Sequence, residues 1–119
     1  MNKLVVKAMA GNTDLERVAQ AFTVAATALA SGFEVSLWLT GEASFFALPG
    51  RCEDFNLPHS AKLHELRDAI LLGGSITLCT QCALRRDISQ GDLISGIVIK
   101  GSASFVEEIM AEGVQALVY

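Results

Sequence analysis

The chain of 119 residues has no uncharged stretch long enough to cross a bilayer. Between Arg17 and Glu34, and again between Asp68 and Arg85, 16 residues carry no charge, and polar Gln20, Ser31, Thr77 and Gln81 interrupt them. A spanning helix needs about 20 mostly apolar residues, so no transmembrane helix is expected although 51% of the residues are apolar. Basic clusters are equally scarce. Arg85-Arg86 is the one adjacent basic pair, and a net charge of −4 offers nothing that would track a phosphate backbone, which argues against nucleic acid as a partner. The amino terminus, Met1-Asn2-Lys3, runs straight into a short apolar segment without a signal-peptide h-region or cleavage site, so a cytoplasmic address is expected.

Three cysteines, an odd number without secretory features, argue for reduced thiols over a disulfide framework. A zinc site would need a second closely spaced ligand pair beside Cys79 and Cys82, and Cys52, His59 and His64 do not form one, so no metal is expected. Ala10-Gly11-Asn12-Thr13-Asp14 lacks both the G-x-G-x-x-G pattern and a phosphate-binding lysine, so no nucleotide cofactor is expected. Only two prolines punctuate the chain.

What is present alternates. Leu4 to Met9 reads as a strand that stops at Gly11-Asn12, with Thr13 or Asp14 capping a helix from Leu15 to Ala30 that ends at Gly32. Phe33 to Leu39 is a second strand ending at Thr40-Gly41. Glu42 to Leu48 reads as one or two helical turns, and Pro49 to Pro58 as the most loop-like segment. A helix over Ala61–Leu72 stops at Gly73-Gly74, and Ser75–Cys79 is a third strand followed at once by a helical turn near Cys82-Ala83-Leu84. After a loop over Asp87–Ser95 come a strand over Gly96–Lys100, a helix capped by Ser102 and running to about Glu112, and a last strand over Gln115–Tyr119. The pattern predicts one domain over residues 1–119, an α/β three-layer α/β/α sandwich around a mostly parallel sheet of about five strands.

Ligands of open parallel sheets bind beyond the carboxyl ends of the strands. The loops expected there are Ala10-Gly11-Asn12-Thr13, Thr40-Gly41-Glu42 and Cys79-Thr80-Gln81-Cys82. Cys79 closes a strand where a following helix begins, and backbone N–H groups there favour a thiolate or a persulfide anion. Cysteine is also among the most buried residue types, and a cysteine ending an apolar strand can be inert core. Cys82, three residues on, can serve as a resolving thiol or as packing. Gly11, Asn12, Thr40, Gly41, Gln81 and Arg85 are the candidate binding residues around the pair. His59 and His64 read as solvated surface, and Cys52 lies in the loop-like middle, where it could reach over Cys79.

The segment Leu78-Cys79-Thr80-Gln81-Cys82-Ala83-Leu84-Arg85-Arg86 resembles the DsrE/DsrF-like family, which includes subunits of the Tus sulfur relay of tRNA thiolation. The likeness extends to Gly32-Phe33-Glu34-Val35, Thr40-Gly41-Glu42, Asp92-Leu93-Ile94 with Gly96-Ile97, and the closing Ala116-Leu117-Val118-Tyr119. The resemblance implies that Cys79 is the persulfide-carrying nucleophile of a sulfur carrier or sulfurtransferase, and that the chain forms a homo-oligomer (trimer, dimer or hexamer). Its partners would be sulfur donors and acceptors, either proteins or small sulfur compounds. Cys82 stands where relay subunits often carry alanine, and the C-x-x-C arrangement looks more like the branch described as predicted peroxiredoxins. Two alternatives therefore stay open: a dithiol redox protein or peroxide sensor cycling Cys79 and Cys82, and a non-catalytic regulatory subunit that binds a small ligand.

Overall fold

The computed structural model describes residues 2–119. Five strands, β1 (Lys3–Ala8), β2 (Glu34–Leu39), β3 (Ser75–Cys79), β4 (Val98–Lys100) and β5 (Val114–Val118), form one sheet in the order β4-β3-β2-β1-β5. All four pairings are parallel. The chain steps outward from β1 to β4 and then returns to place β5 on the other side of β1, so β1 and β2 are central.

Helix α1 (Leu15–Ala30) begins where the Asp14 carboxylate accepts the Arg17 N–H (3.3 Å), which decides between the two expected caps. Its buried residues Val18, Ala21, Phe22 and Ala25 recur at helical spacing. With α3 (Leu63–Gly73) it covers one sheet face, where Val6, Ala8, Val35, Leu37, Leu39, Ile76 and Leu78 join a single core. Phe46 stands edge-on to both Phe22 and Phe55, with centroids 6.0 Å apart in each pair. Such pairs are worth about 0.5–1.5 kcal/mol each beyond their burial.

The other residues of each strand face the opposite side. There Val5 and Trp38 are buried beneath α5 (Ser102–Ile109), whose Phe105 ring stands at 80° to Trp38 with centroids 5.2 Å apart. Glu108 of the same helix accepts the Trp38 indole N–H (3.3 Å) and pairs with Lys3 (3.9 Å). Helices thus lie on both faces, but β5 stays largely exposed. No helix among the described residues is long and apolar enough to cross a membrane.

The segment after β2 differs in detail from its sequence reading. Gly41–Ala47 is a 3-10 helix, and the expected loop after it contains a short helix, α2 (Arg51–Asp54), which follows Gly50 in the left-handed region (φ 86°). A four-residue helix is too brief to show periodicity. Its Cys52 is buried in the core, with its thiol 3.6 Å from the Phe46 carbonyl. The Ser102 cap is also corrected. Gly101 occupies that position, Ser102 begins the helix, and α5 ends at Ile109 instead of near Glu112. Gly113, at φ 77°, then turns the chain into β5.

Candidate functional site

Cys79 ends β3, and α4 (Thr80–Arg85) starts on the next residue. Leu78 points into the α1 side of the sheet, so Cys79 belongs to the α5 side, level with Lys100 on β4. Its residue is 9% exposed. Burial alone would raise the thiol. The N–H and thiol of Cys82, the N–H of Gln81 and the Lys7 ammonium act together against it and hold the Cys79 thiol below its ordinary value. Cys82 thus acts on Cys79 from the first turn of the following helix.

Cys82 is itself held from the next loop. The Gly41 N–H donates to its sulfur at 3.2 Å. Gly41 has φ 53°, and a Cβ there would lie 3.1 Å from the Met9 carbonyl oxygen. At Gly11 an added Cβ would lie 2.6 Å from the Glu42 Cβ. The loops after β1 and β2 are thus packed backbone against backbone, and glycine is required at both contacts. The Thr40 hydroxyl strengthens this junction by donating to the Ala8 carbonyl at 3.0 Å.

An ion pair closes the same edge. Arg86 donates from Nε (3.1 Å) and Nη2 (2.9 Å) to one Glu42 oxygen, and from Nη1 to the Cys82 carbonyl (3.1 Å), so one guanidinium spans the two loops. Phe45 lies under it, 5.7 Å from ring centroid to guanidinium carbon.

Of the expected binding residues, Gly41 donates to the Cys82 sulfur, Gly11 and Thr40 pack or tie the neighbouring loops together, and the Gln81 N–H helps to lower the Cys79 thiol. Asn12 stands apart from the thiols and lines a cavity of about 180 Å³ with Glu42, Phe45 and Arg51. Arg85 is exposed, and the arginine that bridges the loops is Arg86. Cys52 does not join the pair. Burial pushes its thiol up to about 11 against the opposing pull of Arg67, which makes it a poor nucleophile. His59 is exposed, and His64 is partly exposed on α3.

Lys7 and Phe105 were not expected from the sequence, whereas Glu42 and Arg86 stood within the Thr40-Gly41-Glu42 loop and the Arg85-Arg86 pair. Lys7 carried a usable signal, because a lysine alternating with Val5 in an apolar strand marks a second face with a polar task. Its ammonium lies 5.0 Å from the Phe105 centroid. Phe105, from an element 26 residues beyond Cys79, could be brought there only by the strand order.

The family model described as DsrE/DsrF-like matches residues 2–119. No curated protein matches the chain. Among solved structures, the YchN protein of E. coli superposes with a TM-score of 0.82 at 19% identity, with both chains fully covered. MTH1491 of Methanobacterium thermoautotrophicum, whose structure is titled as a protein of unknown function, gives 0.72 at 11% identity, again over the whole of both chains. BT1422 of Bacteroides thetaiotaomicron, also titled as of unknown function, gives 0.66 at 16% identity, covering 99% of this chain and 95% of that one. At these identities the likeness is one of fold.

Proposed function

The chain belongs to the DsrE/DsrF-like family, and on that premise we propose that it is a sulfur-relay protein that carries sulfane sulfur as a persulfide on Cys79. The supporting observation is the place of Cys79 at the end of β3 and the start of α4, where the Cys82 and Gln81 N–H groups, the Cys82 thiol and the Lys7 charge outweigh burial and hold its thiol below the ordinary value. A thiolate attacks sulfane sulfur, and the persulfide it forms is itself an anion at the same place. In this reading Cys79 is the nucleophile and Cys82 donates a hydrogen bond to it. Gly41 and Arg86 hold Cys82 in position.

Sulfur would arrive from a protein or small-molecule donor and leave to an acceptor thiol, with no metal or organic cofactor, in the cytoplasm. A homo-oligomer belongs to the same proposal. It is supported by exposed Val98, Val106, Met110, Leu117 and Val118 on and around the two edge strands and α5. Incubation with polysulfide followed by peptide mass mapping tests the carrier role. The expected result is a gain of one sulfur atom on the Cys79 peptide that is absent from Cys79→Ser. No gain on the wild type, or a gain that survives the substitution, refutes it.

The C-x-x-C spacing, with Cys82 acting on Cys79, favours one second reading, a dithiol couple in which the two cycle through a disulfide. A reversible two-electron titration without sulfur uptake would establish that couple instead.

A further inference from the structure

Charge is segregated along the α5 face of the sheet. At its amino end Lys3 is level with Glu34 on the neighbouring strand and pairs with Glu108. Toward the carboxyl end, the charged strand residues of this face are Lys7 on β1 and Lys100 on β4, both positive, in a chain whose net charge is −4. Among the described residues neither lysine pairs with a carboxylate. Glu42, on the loop after β2, is engaged by Arg86. Lys7 is instead held over the Phe105 ring, which positions an ammonium without neutralising it. Cys79 lies between the two lysine-bearing strands, with β2 separating it from β1.

An ammonium that a ring fixes without a carboxylate, on the same sheet face as a nucleophile two strands away, is a half-built ion pair, and the small exposure of Cys79 admits only a slender partner. We propose that Lys7, held by Phe105 and flanked by Lys100, forms an anion subsite beside Cys79 that accepts a small sulfur oxyanion, of which thiosulfate is the simplest. This assignment of the donor rests on the sulfur-carrier reading above. The Cys79 thiolate attacks the outer sulfur of thiosulfate. The Cys79 sulfur–sulfur bond forms as that of thiosulfate breaks, sulfite leaves with the electron pair, and the terminal sulfur of the persulfide keeps one negative charge. No oxidant and no proton is consumed. Lys7 offsets the charge of the incoming dianion and then of the persulfide.

Two alkylating reagents of similar size and different charge, iodoacetate and iodoacetamide, read the subsite independently of sulfur chemistry. The ratio of their rates at Cys79, followed by mass mapping, is expected to fall about three- to tenfold toward amide preference in Lys7→Gln. Lys7→Arg should retain the ratio, and salt near 1 M, where the screening length is about 3 Å, should erase the difference between wild type and Lys7→Gln. An unchanged ratio in Lys7→Gln, or a full loss from Lys100→Gln alone, overturns the subsite. With thiosulfate as donor, wild type is expected to gain one sulfur on Cys79 and Lys7→Gln to load more slowly by a similar factor. Loading by polysulfide but not by thiosulfate overturns the donor assignment. A charge preference that persists while neither compound loads Cys79 supports the subsite and retires the sulfur-carrier reading.

Discussion

The Gly41 N–H donates to the Cys82 sulfur at 3.2 Å, and Cys82 is among the groups that hold the Cys79 thiol below its ordinary value. A backbone group just after β2 thereby holds the cysteine of α4 that acts on the sulfur ending β3. Closing a disulfide with Cys79 would draw the Cys82 sulfur away from the Gly41 N–H and weaken this bond. The same contact that stabilises a Cys79 thiolate therefore resists closure of the C-x-x-C pair. Cys82→Ala is expected to raise the pH midpoint of Cys79 alkylation, and Cys82→Ser, which keeps a donor, to raise it less. Rate against pH with iodoacetamide distinguishes the variants. Identical midpoints in both would show that Cys82 does not act on Cys79.

The Glu42–Arg86 pair lies at the surface of the site, with side chains 61% and 18% exposed, so its direct contribution to stability is small, about 0.2–1 kcal/mol. Its effect on chemistry should exceed that. Arg86→Met frees the Cys82 carbonyl and the 41–42 turn, and slower Cys79 alkylation with a near-native denaturation midpoint is the outcome to look for. A large loss of stability with unchanged alkylation would reverse these roles.

At Gly11 an added Cβ would meet the Glu42 Cβ at 2.6 Å, and Glu42 is anchored by Arg86. Gly11→Ala must push the two loops apart, at a cost of about 1–3 kcal/mol. Urea denaturation measures the cost. Cys79 should become more exposed, read by faster reaction with a bulky neutral maleimide.

Arg67 is 6% exposed and forms a two-pronged pair with Glu53, both bonds 3.0 Å, beside a single bond to Asp68. The Arg67 contact holds the Glu53 carboxyl down to about 2. A carboxyl lowered in the folded state contributes stability above its unfolded value near 4.5, and that contribution fades as pH falls toward 2. Screening of this half-exposed group limits it to about 1 kcal/mol. Glu53→Gln, which leaves a buried guanidinium with one carboxylate, should cost about 2–3 kcal/mol at neutral pH and exceed the cost of Asp68→Asn. Equal costs would assign the clamp to Asp68.

Cys52 carries the opposite sign. A thiol whose value rises from 9.0 to about 11 in the folded state favours folding fully below 9, and the contribution is lost as pH climbs from 9 through 11. The loss is about 2–3 kcal/mol. Subtracting the stability–pH curve of Cys52→Ala from that of the wild type isolates it, and a flat difference between pH 8 and 11 would exclude it.

Much of the architecture was legible because local chemistry and tertiary packing agree. The alanine-rich face of Leu15–Ala30 and the Asp14 cap mark α1, and Ser75–Cys79 is bounded by Gly74 and a helical turn. Cys79 stood out because an apolar strand that ends in a nucleophile places it at the edge where parallel sheets bind ligands. The surroundings were less legible. Successive residues on a helix differ by about 100°, so Arg85 and Arg86 cannot be told apart from spacing on a six-residue helix whose register is unknown. Placing Lys7 and Phe105 on the sheet face that carries Cys79 needed the order β3-β2-β1 and the packing of α5 on that face, a long-range property carried by no short segment. Cys52 was misplaced because a four-residue helix leaves no periodic trace, and a buried thiol there looks like any loop cysteine.

The most direct test of Cys79 as a sulfur carrier is mass mapping of the Cys82→Ser protein after brief exposure to polysulfide and removal of excess donor. A carrier holds one added sulfur on Cys79 and surrenders it to an added small thiol, and it does so without Cys82. Should Cys82→Ser hold no sulfur while the wild type converts to a Cys79–Cys82 disulfide, the protein is a dithiol redox couple and the carrier reading is wrong.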